Sequence, residues 1–170
     1  MKRSIGVALL ALLLTASVGS VAFALDGYVM VGGLVFADVD PDGTTSFPTH
    51  PVVVAELQVT DRLSLGASWA TDLPGVAILT RYGAETGVYG DFYVVEGTLG
   101  SWSAGVFIER TVSDRLGLRA EIGLSGVQVS GQTVVIPDAV VGLRYELSGP
   151  FAFLAEVAYG GVGAGIAYEF

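Results

Sequence analysis

Leu116-Gly117-Leu118-Arg119-Ala120-Glu121-Ile122-Gly123-Leu124-Ser125 decides the fold. Its even positions hold Leu, Leu, Ala, Ile and Leu, and its odd positions hold Gly, Arg, Glu, Gly and Ser. Side chains alternate across a β-strand, so this stretch has one apolar and one polar face. The pattern recurs. Ala139, Val141, Leu143, Tyr145 and Leu147 oppose Val140, Gly142, Arg144 and Glu146, and Phe151, Phe153, Ala155, Val157 and Tyr159 oppose Glu156. In the last stretch Val162, Ala164, Ile166, Tyr168 and Phe170 oppose Gly163, Gly165, Ala167 and Glu169. Past residue 24 no stretch has helical periodicity.

Short polar clusters separate these runs. Val59-Thr60-Asp61-Arg62-Leu63 and Val112-Ser113-Asp114-Arg115-Leu116 form a weak internal repeat, and Leu147-Ser148-Gly149-Pro150-Phe151 resembles them. Each reads as a hairpin turn. Longer connections fall at 38–51 and 127–137. Tight turns at one end and longer loops at the other mark a transmembrane barrel. The expected strands are 27–37, 51–59, 63–71, 76–83, 88–97, 102–112, 116–126, 138–147, 151–159 and 162–170. Alternation is poor around Gly90 and Asp91, so 83–101 also allows one hairpin fewer and eight strands. The expectation is an all-β, closed, antiparallel up-and-down transmembrane barrel, with ten strands or, alternatively, eight.

Composition agrees. Of 170 residues, 52% are hydrophobic, and mean hydropathy is +0.64. Only 15% are charged, against roughly 25% in ordinary soluble domains. The absence of cysteine excludes disulfides and thiolate chemistry. A net charge of −9 argues against nucleic-acid binding. Residues 1–24 read as a secretory signal peptide: Lys2 and Arg3 precede the apolar run Ile5 to Leu14, and Ala22-Phe23-Ala24 suits signal peptidase. The barrel domain is then 25–170, with six arginines, no lysine and all 17 acidic residues.

The polar face consists of Gly, Ser and Ala with sparse charge, which suits a narrow lumen better than a solvated exterior. The apolar face carries aromatics near the strand ends. Tyr28, Tyr82, Tyr145, Phe151, Phe153, Tyr168 and Phe170 are expected at one membrane interface, and Phe36, Trp69, Trp102 and Tyr159 at the other. Strands of 9–11 residues also match a bilayer core.

The last strand resembles the C-terminal β-signal of bacterial outer-membrane proteins. Gly165, Tyr168 and Phe170 match it, and Gly163 departs at its polar position. With the leader and the hairpin rhythm, the chain resembles the small outer-membrane β-barrel group (OmpA/OmpX-like in the broad sense). That resemblance implies residence in the outer membrane of a double-membraned bacterium, with both mature termini periplasmic. It implies contact with outer-membrane lipid, and recognition by the barrel-assembly machinery before the last strand seals the sheet.

The inward ionisable residues are expected to be Glu56, Arg81, Glu96, Glu109, Arg119, Glu121, Arg144, Glu146, Glu156 and Glu169. In a narrow barrel they must pair or neutralise. Gly123→Ala, facing the lumen, should cost much less than Leu118→Arg on the lipid face. The reading is a non-enzymatic barrel with a structural or surface-interaction role, its lumen filled by an Arg/Glu network. The alternative is a small passive cation-preferring pore, and an outer-membrane enzyme is a distant third. Catalysis needs an activated nucleophile or base, and the single histidine, His50, has no recognised motif around it. No cofactor is expected. Asp38, Asp40, Asp42 and Gly43 resemble the start of a calcium loop, but position 12 is Thr49, so any calcium site would be weak. Loops 38–51 and 127–137 are the segments long enough to meet an extracellular ligand.

Overall fold

The computed structural model describes residues 26–36, 38–39, 42–129, 131–159 and 161–170, the side chains of residues 38, 39 and 129 excepted. The leader 1–24 lies outside the described residues. Ten strands close into one antiparallel barrel: β1 (Gly27–Phe36), β4 (Thr49–Thr60), β5 (Leu63–Ala70), β6 (Val76–Gly83), β7 (Thr86–Val95), β8 (Thr98–Ser113), β9 (Leu116–Val129), β10 (Gln132–Glu146), β11 (Phe151–Ala158) and β12 (Gly161–Glu169). Two short strands, β2 (Asp38–Val39) and β3 (Thr45–Ser46), pair within the β1–β4 connection. Each barrel strand pairs with its sequence neighbour in the barrel, and β1 closes on β12. The seam runs from Tyr28 opposite Glu169 to Phe36 opposite Gly161. It is extended by reciprocal backbone hydrogen bonds of 3.1 and 3.0 Å between Gly27 and Phe170. The end of the barrel holding these residues is called the terminal end below, and the opposite one the far end.

The ambiguous 83–101 stretch resolves as two hairpins, so the count is ten. The Glu96–Gly97 turn has positive φ at both residues, 51° and 82°. That is the backbone of a two-residue hairpin turn whose twist matches its strands. The 127–137 loop is absent: β9 and β10 continue as paired strands up to Val129 opposite Gln132. The tight repeat encodes a local device. Register slips between Gln58 and Thr60 and between Thr111 and Ser113, leaving Val59 and Val112 as bulged residues at equivalent places. Thr60 Oγ1 then accepts the Arg62 and Leu63 N–H groups, and Ser113 Oγ accepts that of Arg115. The Thr or Ser of the repeat is therefore the residue that closes each turn.

Large apolar side chains cover the outside. Val31, Ile122, Val141, Val157 and Ile166 are all exposed, Val31 at 64% and Ile122 at 66%. So continuous an apolar band suits hydrocarbon and not water. Closure leaves no barrel edge for lipid to face. Tyr82, Tyr145, Phe151 and Tyr168 stand exposed on this surface near the terminal end, where Tyr168 packs edge-on against Phe151 at 5.6 Å and stacks with Phe170 at 6.5 Å. Phe153 shares their face. Trp69, Trp102 and the 82%-exposed Tyr159 lie outward near the far end.

Two expected interface aromatics point the other way. Tyr28 turns into the lumen and donates to Glu56. Phe36 also faces inward and packs on His50, ring centroids 5.3 Å apart. The cause is β1 itself, GYVMVGGLVF, which is apolar on both faces. Its inward side chains join a cluster of Met30, Val52 and Ala167 with Tyr28, Leu34, Val54 and Leu154. One side of the lumen is thus a small apolar core.

Candidate functional site

The other side of the lumen is charged, and glycine makes room for it. Glu56 stands opposite Gly66, Arg119 opposite Gly142, Arg144 opposite Gly117, and Glu156 opposite Gly163. Long charged side chains reach inward because their cross-strand partners have none. This is the local reason for a glycine-rich inner face.

Arg81 on β6 is the hub. Its Nη2 and Nε donate to Glu121 Oε1 on β9 at 3.0 and 3.1 Å. Its Nη1 lies 3.6 Å from Glu56 Oε2 on β4, and its Nη2 lies 4.0 Å from Asp91 Oδ2 on β7. One guanidinium therefore ties four strands together. Glu121 is 4% exposed. Arg119 Nε also lies 3.2 Å from Glu121 Oε1, but outside hydrogen-bond geometry, and its Nη2 reaches Glu156 at 3.7 Å. Tyr28 Oη donates to Glu56 at 3.2 Å. Such a network is stiff when its members are satisfied, because the alternative is a buried charge without a partner.

Arg144 forms a second group at the terminal mouth. It holds Glu169 through two 2.6 Å hydrogen bonds and Glu146 through one of 3.1 Å. A planar fork on a carboxylate favours this arrangement. Glu109 faces inward at the same mouth and is exposed. Glu96 does not belong to the lumen: it occupies the exposed far-end turn between β7 and β8.

Two lumen acids escape the sequence reading. Asp91 shares a face with Tyr89 on β7, and Asp138 accepts from Tyr89 Oη at 3.2 Å. On β7 the usual contrast is inverted, since Gly90 points outward while the bulky Tyr89 and Tyr93 point inward. Asp138 lay hidden at the edge of the expected loop. Three inward arginines (81, 119, 144) thus face eight inward carboxylates: Glu56, Asp91, Glu109, Glu121, Asp138, Glu146, Glu156 and Glu169. A cavity of about 830 Å³ runs between the apolar and charged walls, from Asp26, Asp61 and Phe170 to Leu34 and Val52.

His50 lies in β4 and not in a loop. Its Nδ1 is 2.9 Å from Asp72 Oδ2. Among the described residues no Ser or Thr hydroxyl bonds to it. In the expected calcium loop, Asp42 accepts the Thr44 N–H at 2.9 Å, and that backbone bond holds its carboxyl below the usual range. This is turn chemistry. Asp40 and the Asp38 side chain lie outside the described residues. Among those described, no group of three or more His, Asp or Glu side chains could hold a metal ion.

At Gly123 the backbone leaves little room for a side chain. An added Cβ would clash with the Ala104 carbonyl oxygen. Gly123 pairs with Gly105, and the two backbones approach too closely for alanine.

No family model and no curated protein matches the chain. Solved outer-membrane barrels resemble it in fold. The attachment invasion locus protein Ail of Yersinia pestis, in complex with the heparin analogue sucrose octasulfate, is 14% identical, with 86% of this chain and 98% of that one covered and a TM-score of 0.44. Neisserial surface protein A is 13% identical over 86% and 97% of the two chains, TM-score 0.35. A de novo designed transmembrane β-barrel is 20% identical over 86% and 94%, TM-score 0.41.

Proposed function

We propose that this chain is an integral outer-membrane β-barrel with a structural and surface-interaction role. In this reading the Arg81–Glu121–Glu56–Asp91 network fills the lumen and braces the wall, and the far end meets the surroundings. The observation that carries the reading is Arg81, which spans the lumen to carboxylates on three other strands. An ion-paired crosspiece at mid-lumen stabilises a wall and obstructs a passage. The reading is non-enzymatic: among the described residues no Ser or Thr hydroxyl bonds to His50, whose Nδ1 pairs with Asp72.

A specific observation favours a second reading. Eight carboxylates against three guanidiniums along an 830 Å³ cavity would give a passive pore a preference for cations. Single-channel recording of the refolded barrel in a planar bilayer separates the two, with folding checked by a heat-dependent gel shift. A folded, silent barrel supports the braced lumen. Steady cation-selective steps that change on Glu121→Gln would replace it with the pore.

A further inference from the structure

The cavity beside the Arg81 brace is amphiphilic. Its volume of about 830 Å³ falls within the ~300–1,000 Å³ of sites that enclose small molecules. One wall is apolar: Met30, Leu34, Val52, Val54 and Leu154 line it and belong to a single packed cluster. Along β1 the lining runs from Tyr28 to Leu34, about 15 Å of depth for a strand tilted as barrel strands are. Past Leu34 the inward Phe36 ring packs on His50, and Tyr89 reaches Asp138. The cavity opens at the terminal end, where Asp26, Asp61 and Glu109 line it and are exposed. Among the described residues no side chain bonds to any of these three carboxylates. The guanidiniums are already engaged. Arg81 faces Glu56, Asp91 and Glu121, Arg119 faces Glu121 and Glu156, and Arg144 faces Glu146 and Glu169. The free charge of the cavity is therefore negative, and it sits at the mouth, while the free apolar surface lies deeper.

We infer that this cavity binds a small amphiphilic amine, which enters from the terminal mouth with its hydrocarbon end first. The hydrocarbon lies against Met30, Val54 and Leu154, and the ammonium stays at the mouth with Asp61, Glu109 and Asp26. The inference rests on the braced lumen above, because the brace keeps the charged wall neutralised from within and makes the space a recess and not a conduit. Burial of the hydrocarbon supplies most of the affinity. Charge selects the head group. A carboxylate head would meet a mouth of like charge and guanidiniums that already hold two or more carboxylates each. An inorganic cation would leave the apolar wall bare, and among the described residues no three acidic or histidine side chains converge to hold a metal ion. An apolar body with one ammonium satisfies both parts of the cavity at once.

The test uses the refolded barrel in phosphatidylcholine nanodiscs at pH 7, with phenylbutylamine as the probe and methyl NMR as the readout. The methyl signals of Met30 and Leu154 should shift saturably, while those of the lipid-facing Ile122 and Ile166 should move no more than they do with phenylbutanol, which reports partition into the bilayer. Phenylbutyrate and methylamine, which each lack one half of the match, should leave Met30 and Leu154 unmoved. Asp61→Asn with Glu109→Gln alters two exposed carboxylates, and exposed charges contribute modestly, so the amine should bind about fivefold more weakly to that variant. Shifts confined to Ile122 and Ile166, equal binding of phenylbutyrate, or unchanged affinity in the folded double variant would each overturn the inference. The wild-type methyl shifts decide the matter even if the double variant loses its heat-dependent gel shift. Conductance is recorded on the same protein. A silent barrel that does not bind the amine overturns the recess alone, whereas steady steps overturn the brace and the recess with it.

Discussion

Arg81→Met is the sharpest test of the lumen. The substitution keeps much of the apolar stem and removes the charge. Arg81 is 10% exposed at its side chain and Glu121 is 3% exposed, so little solvent reaches either. Breaking a buried pair from one side costs about 3–5 kcal/mol. Here some compensation survives. Glu121 keeps Arg119 Nε at 3.2 Å, Glu56 keeps the Tyr28 hydroxyl, and Asp91 keeps the Thr80 N–H at 3.3 Å. The cost should therefore sit near the low end, about 3 kcal/mol. Removing Glu121 as well, as Arg81→Met with Glu121→Leu, takes away the buried charge left behind and should recover at least about 1 kcal/mol of that loss. Urea unfolding in phospholipid vesicles gives the numbers, with outward-facing Trp69 and Trp102 as fluorescent reporters. A single-variant loss below about 0.5 kcal/mol would refute the reasoning, because it would mean that the guanidinium is solvated. A double variant much weaker than the single would refute it differently, by making Glu121 stabilising without Arg81.

Other substitutions probe the remaining parts of the wall. Leu118→Arg, on the lipid face at mid-membrane, should cost ~2–4 kcal/mol in the same unfolding assay. Gly117→Ala should be nearly silent, since an added Cβ meets nothing closer than 3.9 Å, whereas Gly123→Ala must displace the Ala104 carbonyl and should visibly lower the urea midpoint. Thr60→Ala and Ser113→Ala remove matching turn acceptors, and each should cost about 0.5–1.5 kcal/mol, a parity that tests the repeat. Arg144→Ala at the terminal mouth should cost no more than about 1 kcal/mol despite its short hydrogen bonds, because its pair with Glu169 is 39% and 30% exposed.

The fold was legible wherever the two faces differed chemically. On β9 and β10 most inward positions are small or charged, Val140 and Ile136 being exceptions, and the outward ones are apolar up to the membrane edge, so period two suffices. It failed where that contrast lapses. β1 has no charged residue to mark its inner face, so Tyr28 and Phe36 were placed outside. On β7 an outward Gly90 and inward Tyr89 and Tyr93 reverse the expected sign, which hid Asp91. Glu96 falls on the same reversed face as Gly90, which is why the pattern places it inward, whereas β7 ends at Val95 and Glu96 belongs to the turn. The charged residues of the lumen could be named from alternation, but their pairing could not. Arg81 meets Glu121 at a separation of 40 residues, through the accumulated register of the strands between them. The far-end extension of β10 was invisible for a related reason: the expected loop at 127–137 ended the strand where it continues.

The lumen and the rim answer to different physics. Glu121, Arg81 and the apolar cluster around Met30 and Val52 lie at the depth of the bilayer, where every polar group must find its partner inside the protein. Arg81 reaches Glu121 through the register of the strands between them, and Glu56, Arg119, Arg144 and Glu156 each lean over a cross-strand glycine, so this inner set is bound to the barrel's register. Above Tyr159 the constraint lapses, because water satisfies what the sheet leaves open. There β10 runs on past β11 with alternate N–H and C=O groups unclaimed by the ladder, and Pro137 interrupts their series without harm to β9. A strand that has left hydrocarbon no longer needs two neighbours to be stable. It therefore leaves one side without a described neighbour strand, and the interior and the rim can change independently.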